Sequence, residues 1–333
     1  MTGEASSVEG TRRAAGSARP ARGMTEPAFV LLDGGTGREL LRMGAPFRQP
    51  EWSALALMEA PQFVSRVHES YIGAGATVIT TNSYAVVPFH IGAERFAAQG
   101  AALASLAGRL ARDAVARAPS PVRVAGSLPP VCGSYRPDLF DPAVARPVLG
   151  VLRRALEPYV DLWLSETVSS LAEVTLMREV LDGMARPWWV SYTLEEEAAA
   201  TPVLRSGEPV AAAARHAVRL GASAVLFNCC QPEVVGAALA AARAALAHEP
   251  AAQARAVALG AYANAFPPQS HQATANAGLN ELRGDLGPEE YLAWARSWRK
   301  DGASIIGGCC GVGPEHIARI QAALGPTPQV AGD

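Results

Sequence analysis

The stretch FVLLDGGTGREL, residues 29–40, decides the fold. An apolar run ends in an aspartate and two glycines, and a helix-compatible segment follows, which reads as strand, turn and helix. An open doubly wound sheet is expected to carry a GxGxxG phosphate loop here, after its first strand. GGTGREL is not that loop, and no Walker pattern occurs in the chain. The unit instead repeats. Strand-length apolar runs recur at ATVITTNSY (76–84), VRVAGSLPP (122–130), DLWLSETV (161–168), PWWVSYTLE (187–195), ASAVLFNCC (222–230), AVALGAYANAF (256–266) and SIIGGCC (304–310). Between them lie amphipathic helical patterns such as GAALASLAGRLARDAVARA (100–118) and PEVVGAALAAARAALA (232–247). Strands alternating with helices predict βαβ units and a parallel sheet, and eight such units predict an α/β protein of the (β/α)8 TIM-barrel class. The barrel is expected to be a single domain over residues 28–324.

The flanks read differently. Residues 1–27 are rich in Gly, Ala, Ser and Arg and hold no apolar segment, so no secretory signal is expected there. Glu4 and Glu9 argue against an organelle transit peptide. A disordered tail is expected there, with Met24 a candidate start, and a loose tail over 325–333. A net charge of −2 supplies no footprint for nucleic acid or an anionic membrane. No apolar run approaches the roughly 20 residues of a spanning helix. Five cysteines in a chain of 333 residues without a secretion signal point away from disulfide scaffolding, toward metal binding or catalysis in the cytoplasm. Outer helices of a barrel look alike whether they face water or a partner, so oligomeric state leaves no mark on the sequence.

Sites in such barrels are built at the C-terminal ends of the strands. Those ends carry Asp33, Gly34 and Gly35; Thr80, Thr81, Asn82 and Tyr84; Glu166 and Thr167; Asn228, Cys229 and Cys230; Asn264; and Cys309 and Cys310. Four of the five cysteines therefore share one rim, while Cys132 reads as a small core residue. Neighbouring side chains of a strand point to opposite faces, so two adjacent cysteines cannot both reach one metal from a regular strand. Gly307, Gly308 and Gly311 permit positive φ angles and close backbone approach that would bring Cys309 and Cys310 to the same side. A strained vicinal disulfide is the alternative for that pair. From 229–230, an ordinary strand end, one sulfur is expected at the mouth. Three thiolates suit zinc with one position open, whereas four would close the site and make it structural. The long irregular segment 267–285 after strand seven falls on the same rim, where loops of this length usually have a function. Of the histidines, His90 and His271 fall in rim segments; His68, His216, His248 and His316 read as packing or surface residues.

LLDGGTGREL, TTNSY, SET, FNCC and GGCCGVGPEHI together resemble the zinc-dependent homocysteine S-methyltransferases, a family that includes S-methylmethionine-, betaine- and cobalamin-linked enzymes. The resemblance covers about residues 28–324 and implies a (β/α)8 barrel holding Zn2+ through Cys229, Cys309 and Cys310, with Cys230 turned into strand–helix packing. It implies that Asp33, Gly34 and Glu166 contact the amino acid end of homocysteine. Thr80, Tyr84 and Asn264 are candidate pocket residues. The implied reaction moves a methyl group to the zinc-bound homocysteine thiolate, giving methionine. The chemistry is consistent, because a thiolate is the sulfur nucleophile and a coordinating thiol is deprotonated by the metal. Asp33 and Glu166 suit the substrate ammonium, and the Gly34–Gly35 N–H groups suit its carboxylate; a turn cap for Asp33 and a helix-start acid for Glu166 are the structural alternatives.

The donor is read from what is missing. With 6% aromatic residues, few rings are expected for holding a quaternary ammonium such as betaine. Tyr84, Trp188 and Trp189 are the candidates, and both tryptophans fall at the start of a strand, on the wrong rim. A stand-alone barrel of 333 residues is expected to carry no folate or cobalamin module. A small sulfonium donor, S-methylmethionine or S-adenosylmethionine, fits best, with 267–285 the place for donor selection. Other readings are a different thiol or selenol acceptor or another donor, a barrel glycosidase using Asp33 and Glu166 with structural zinc, and a non-catalytic zinc store or redox sensor.

Overall fold

The computed structural model describes residues 29–197, 201–250, 257–270 and 281–325. The 1–27 tail expected to be disordered and the loose 325–333 tail, apart from Gly325, lie outside these residues, as do His271 and the middle of the 267–285 segment.

All eight strands form, and all are parallel. They are β1 (Val30–Leu31), β2 (Val78–Thr80), β3 (Arg123–Leu128), β4 (Leu162–Val168), β5 (Trp188–Tyr192), β6 (Ala224–Asn228), β7 (Ala258–Tyr262) and β8 (Ile305–Ile306). Hydrogen-bonded neighbours run β1-β8-β7-β6-β5-β4-β3-β2. The ring closes where Leu32 bridges Val78, with Thr77 N–H donating to Leu31 O at 2.8 Å and Asp33 N–H to Val78 O at 3.1 Å. The architecture is a (β/α)8 TIM barrel.

Strand alternation sorts the core into two layers. Val30, Leu32, Val78, Leu162, Leu164, Trp189, Ala224, Leu226 and Ile305 fill the barrel interior. Their strand neighbours Leu31, Ile79, Trp163, Val190, Val225, Phe227 and Ile306 pack outward against the helices. Each of these buried Leu, Ile or Val side chains contributes roughly 1.5–3 kcal/mol. The outer ring is α1 (Thr36–Arg42), α2 (Ser53–Glu59), α3 (Pro61–Gly73), α4 (Pro88–Ile91), α5 (Ala93–Ala116), α6 (Pro142–Leu156), α7 (Leu171–Val180), α8 (Val210–Arg219), α9 (Pro232–Leu246), α10 (Pro288–Lys300) and α11 (Pro314–Leu324). Their starts are encoded locally. Proline, which needs no N–H partner in the first turn, opens α3, α4, α6, α9, α10 and α11. Asp141 caps α6 by accepting from Ala143 N–H, and Ser170 and Glu173 form a reciprocal capping box on α7. No helix among the described residues is long and apolar enough to cross a membrane.

His68 on α3 is fully buried, and neither ring nitrogen has a hydrogen-bond partner. Burial alone pushes its pKa down to about 4, so the native protein keeps the ring neutral where the unfolded chain would protonate it near pH 6.5. Between those two values the unfolded state binds more protons, and stability falls as pH falls. At pH 5 this single group should cost about 2 kcal/mol relative to pH 8. Urea unfolding at the two pH values is expected to show that difference reduced in His68→Leu.

Candidate active site

The C-terminal rim encloses a cavity with about 1120 Å³ of atom-free space, open to solvent. One wall is sulfur. The Sγ atoms of Cys229, Cys309 and Cys310 all lie within 4.8 Å of one another, the only such cluster of metal-capable side chains among the described residues.

Local backbone geometry explains how adjacent cysteines achieve this. β8 stops at Ile306, so the doublet sits on a loop held against its neighbours: Cys309 N–H donates to Ala263 O at 2.9 Å, and Cys310 O accepts from Ala265 N–H at 2.8 Å. Of the three glycines around the doublet, only Gly311 takes a positive φ, 86°. Gly307 and Gly308 act through space instead. A Cβ on Gly307 would lie 2.4 Å from the Leu32 side chain, and one on Gly308 would lie 2.1 Å from Val312. From the β1 loop, a Cβ on Gly35 would strike Cys309 O at 2.5 Å.

At the other doublet the alternation breaks. Ala224 and Leu226 point inward, so regular continuation would send residue 228 inward, 229 outward and 230 inward. Cys229 takes φ 53°, lines the cavity, and leaves Cys230 fully buried in the outer strand–helix layer. Thr193 Oγ donates to Cys229 O at 3.3 Å, and Tyr135 O–H donates to Cys229 Sγ at 3.0 Å. The same inversion occurs on β4. Glu166 follows Leu162 and Leu164 on the inward series, Thr167 takes φ 59° and lines the cavity, and Val168 packs outward. All four non-glycine residues with positive φ among the described residues, Trp52, Tyr135, Thr167 and Cys229, line this one cavity. Strained backbone of this kind gathers at functional sites.

Three thiols this close cannot all ionise. Hydrogen bonds from Cys229 and Cys309 to its sulfur, helped by nearby Arg38, hold the Cys310 thiol well below the ordinary range. Sharing hydrogens with Cys229 and Cys310 holds Cys309 well above it. Tetrahedral zinc at about 2.3 Å from each sulfur needs them about 3.8 Å apart, a spacing the observed cluster can meet with small shifts. A set of three cysteine sulfurs is one that zinc accepts.

Two carboxylates, Asp33 just after β1 and Glu166 on β4, line the same cavity. Asp33 accepts from Thr80 N–H at 2.7 Å and Thr80 Oγ at 3.0 Å, so it bridges to β2 rather than capping its own turn. Glu166 accepts from Ser127 Oγ at 2.5 Å and belongs to β4, not to the start of a helix. Burial pushes Asp33 up to about 7 against the pull of the Thr80 bonds, with the Glu166 charge adding to the rise. Burial likewise pushes Glu166 up to about 7. Gly34 lines the cavity, but the Gly35 N–H donates to Val312 O at 3.0 Å and is not available to a ligand, contrary to the expectation for the Gly34–Gly35 pair.

Thr80 and Tyr84 both line the cavity, and the Tyr84 hydroxyl is tied to Ser134 at 2.5 Å. Asn264 does not line it. The residue is fully buried, and its Oδ1 turns back to accept from Phe266 N–H at 3.2 Å. Trp188 and Trp189 start β5 and lie away from this rim. The expectation of few rings is overturned, since Trp52, Tyr84, Tyr135, Tyr262 and Phe266 all line the cavity. Tyr262 and Phe266 flank Asn264 and were legible as a strand end. Trp52 and Tyr135 come from loops with no sequence signal. His90 also lines the cavity, its Nδ1 at 3.0 Å from Pro50 O. Cys132 is half-buried against the outer layer, as a core residue would be.

Residues 30–324 match the sequence profile of the homocysteine S-methyltransferases. The chain belongs to that family. It is 29% identical to the homocysteine S-methyltransferase of Escherichia coli K12, over 88% of this chain and 94% of that protein. It is 25% identical to a selenocysteine Se-methyltransferase of Brassica oleracea, with 89% of each chain covered. Among solved structures it resembles the metallated homocysteine methyltransferase MmuM of Escherichia coli, with a TM-score of 0.69 and 27% identity over 89% of this chain and 96% of that one. The resemblance read from the motifs therefore holds, and the enzyme is a methyltransferase acting on small molecules. The glycosidase and zinc-store readings have no support.

Because Gly35 abuts the Cys309 carbonyl, Gly35→Ala is expected to displace the cysteine loop without unfolding the barrel. Metal affinity, measured by chelator competition, should drop by about 10–100-fold, with the far-UV spectrum unchanged.

Proposed function

We propose that this enzyme transfers a methyl group from a small sulfonium donor, S-methylmethionine or S-adenosylmethionine, to the sulfur of homocysteine, giving methionine. The observation that carries the reading is the pairing, across one cavity, of a three-sulfur cluster with two carboxylates. Cys229, Cys309 and Cys310 would hold zinc, and Cys230, in the outer layer, would not. Zinc bound there would deprotonate a coordinating substrate thiol at neutral pH and leave it nucleophilic.

The chain's own residues supply the rest. Asp33 and Glu166 receive the substrate ammonium, Thr80 orients the Asp33 carboxylate, and the Gly34 backbone lies open to the substrate. Holding the amino acid end fixes where its sulfur sits relative to the cysteines, which is the positioning that a displacement at carbon requires, with reacting atoms about 3–3.5 Å apart. The five rings on the cavity wall would exclude water, and Trp52, Tyr84 and Tyr262 are candidates to meet a methyl-bearing cation. The same rings favour a second reading of the donor, a quaternary ammonium such as betaine. The Brassica relative motivates a selenol as an alternative acceptor.

Metal analysis with a panel of S-methylmethionine, S-adenosylmethionine and betaine on the purified protein tests both parts. One zinc per chain is expected, lost in Cys229→Ala and Cys309→Ala and kept in Cys230→Ala, with turnover greatest on a sulfonium donor. Loss of zinc in Cys230→Ala alone would overturn the ligand assignment.

The carboxylates also set a pH dependence. With free-enzyme values near 7, they are charged above and neutral below, and only the charged form attracts an ammonium. The kcat/KM for homocysteine is therefore expected to fall by up to about tenfold per unit as pH drops below 7. A profile flat down to pH 5.5 would contradict their role.

A further inference from the structure

The two backbone inversions that aim Thr167 and Cys229 into the cavity are tied to a single side chain. Asn228, the last residue of β6, is fully buried and does not line the cavity. Its Oδ1 accepts from Thr167 N–H at 3.0 Å and from Ser191 Oγ at 2.7 Å, and its Nδ2 donates to Thr167 Oγ1 at 2.8 Å. The amide thus reaches from β6 across the end of β5 to β4, and three of its hydrogen-bonding positions are used.

The need for such a brace follows from Thr167. A β-branched residue at φ 59° is a steric outlier that persists only where its surroundings over-determine it. The β4–β5 register also shifts between Ser165 and Val168, so the ladder does not pin Thr167. The backbone N–H and the hydroxyl of Thr167 are instead both taken by Asn228. Glu166 directly precedes Thr167, and Cys229 directly follows Asn228.

We propose that Asn228 is a positioning residue that sets the separation between the Glu166 carboxylate and the Cys229 sulfur, and so matches the seat of the substrate amino group to the seat of its sulfur. This rests on the functional reading above and adds to it a residue that touches neither substrate nor metal. Ser191, also outside the cavity wall, supports the brace through its single bond to Oδ1.

The test uses full-length wild type, Asn228→Ala, Ser191→Ala and Asn228→Ala/Thr167→Gly. Zinc affinity is read by chelator competition, KM separately for homocysteine and for the methyl donor, and Tm alongside. In Asn228→Ala, zinc affinity is expected to fall about 10–100-fold, as for loss of other outer supports of a metal site. Homocysteine KM should rise by at least about tenfold while donor KM stays within about twofold, a split that a general loss of packing would not produce. Ser191→Ala should move the same two quantities in the same direction by a smaller factor. Glycine adopts positive φ without a brace, so the double variant should recover part of the homocysteine KM lost in Asn228→Ala. The proposal is overturned if homocysteine KM and zinc affinity stay within twofold of wild type in Asn228→Ala and Ser191→Ala, or if both KM values rise together in step with Tm. Should Asn228→Ala fail to fold, Ser191→Ala decides by the same criteria. Wild type inactive with every donor would refute the functional reading, and the zinc affinities would still judge the brace.

Discussion

Strand geometry sends successive side chains to opposite faces, and this site needs several neighbours on the same face. The conflict is resolved at three strand ends by leaving regular β conformation at the rim. At β8 the chain passes into a glycine-flanked loop locked to the β1 and β7 loops. At β4 and β6 a residue in the left-handed region inverts the alternation, bringing Thr167 and Cys229 in and sending Val168 and Cys230 out. The sulfur cluster and the cavity-facing positions of Thr167 and Cys229 depend on those departures.

The rigid barrel below makes the departures affordable. Its two-layer core is close to fully buried, and the ladder is continuous around the ring. Rim residues can then be held in unfavourable backbone states by a few well-placed hydrogen bonds. Desolvation there raises both carboxylates and keeps three close thiols from ionising together, so each of these groups would be held in its charged form by a cation placed beside it.

Much of this was legible in the residues. The eight apolar runs located every strand, and the absence of a phosphate loop after FVLLDGG separated barrel from open sheet. The strand-end inventory contained Asp33, Thr80, Glu166, Cys229, Cys309 and Cys310, because in a parallel barrel the position along the strand fixes the face of the molecule. Asn264 misled for the same reason. It sits just past a strand end, but its side chain satisfies a neighbouring backbone N–H instead of facing the cavity. The aromatic wall was missed because overall composition says nothing about where rings gather, and Trp52 and Tyr135 arrive from loops.

The sequence by itself determined the architecture, the membership of the family and the rim on which chemistry occurs, since periodicity and motif spacing are local properties of the chain. Tertiary structure alone decided which cysteine of 229–230 faces the cavity, which glycines act by conformation and which by proximity, and which rings line the cavity. Those outcomes depend on backbone angles and on contacts between strands far apart in the chain, such as Asn228 to Thr167, and no local pattern of residues encodes a contact with a neighbour sixty positions away.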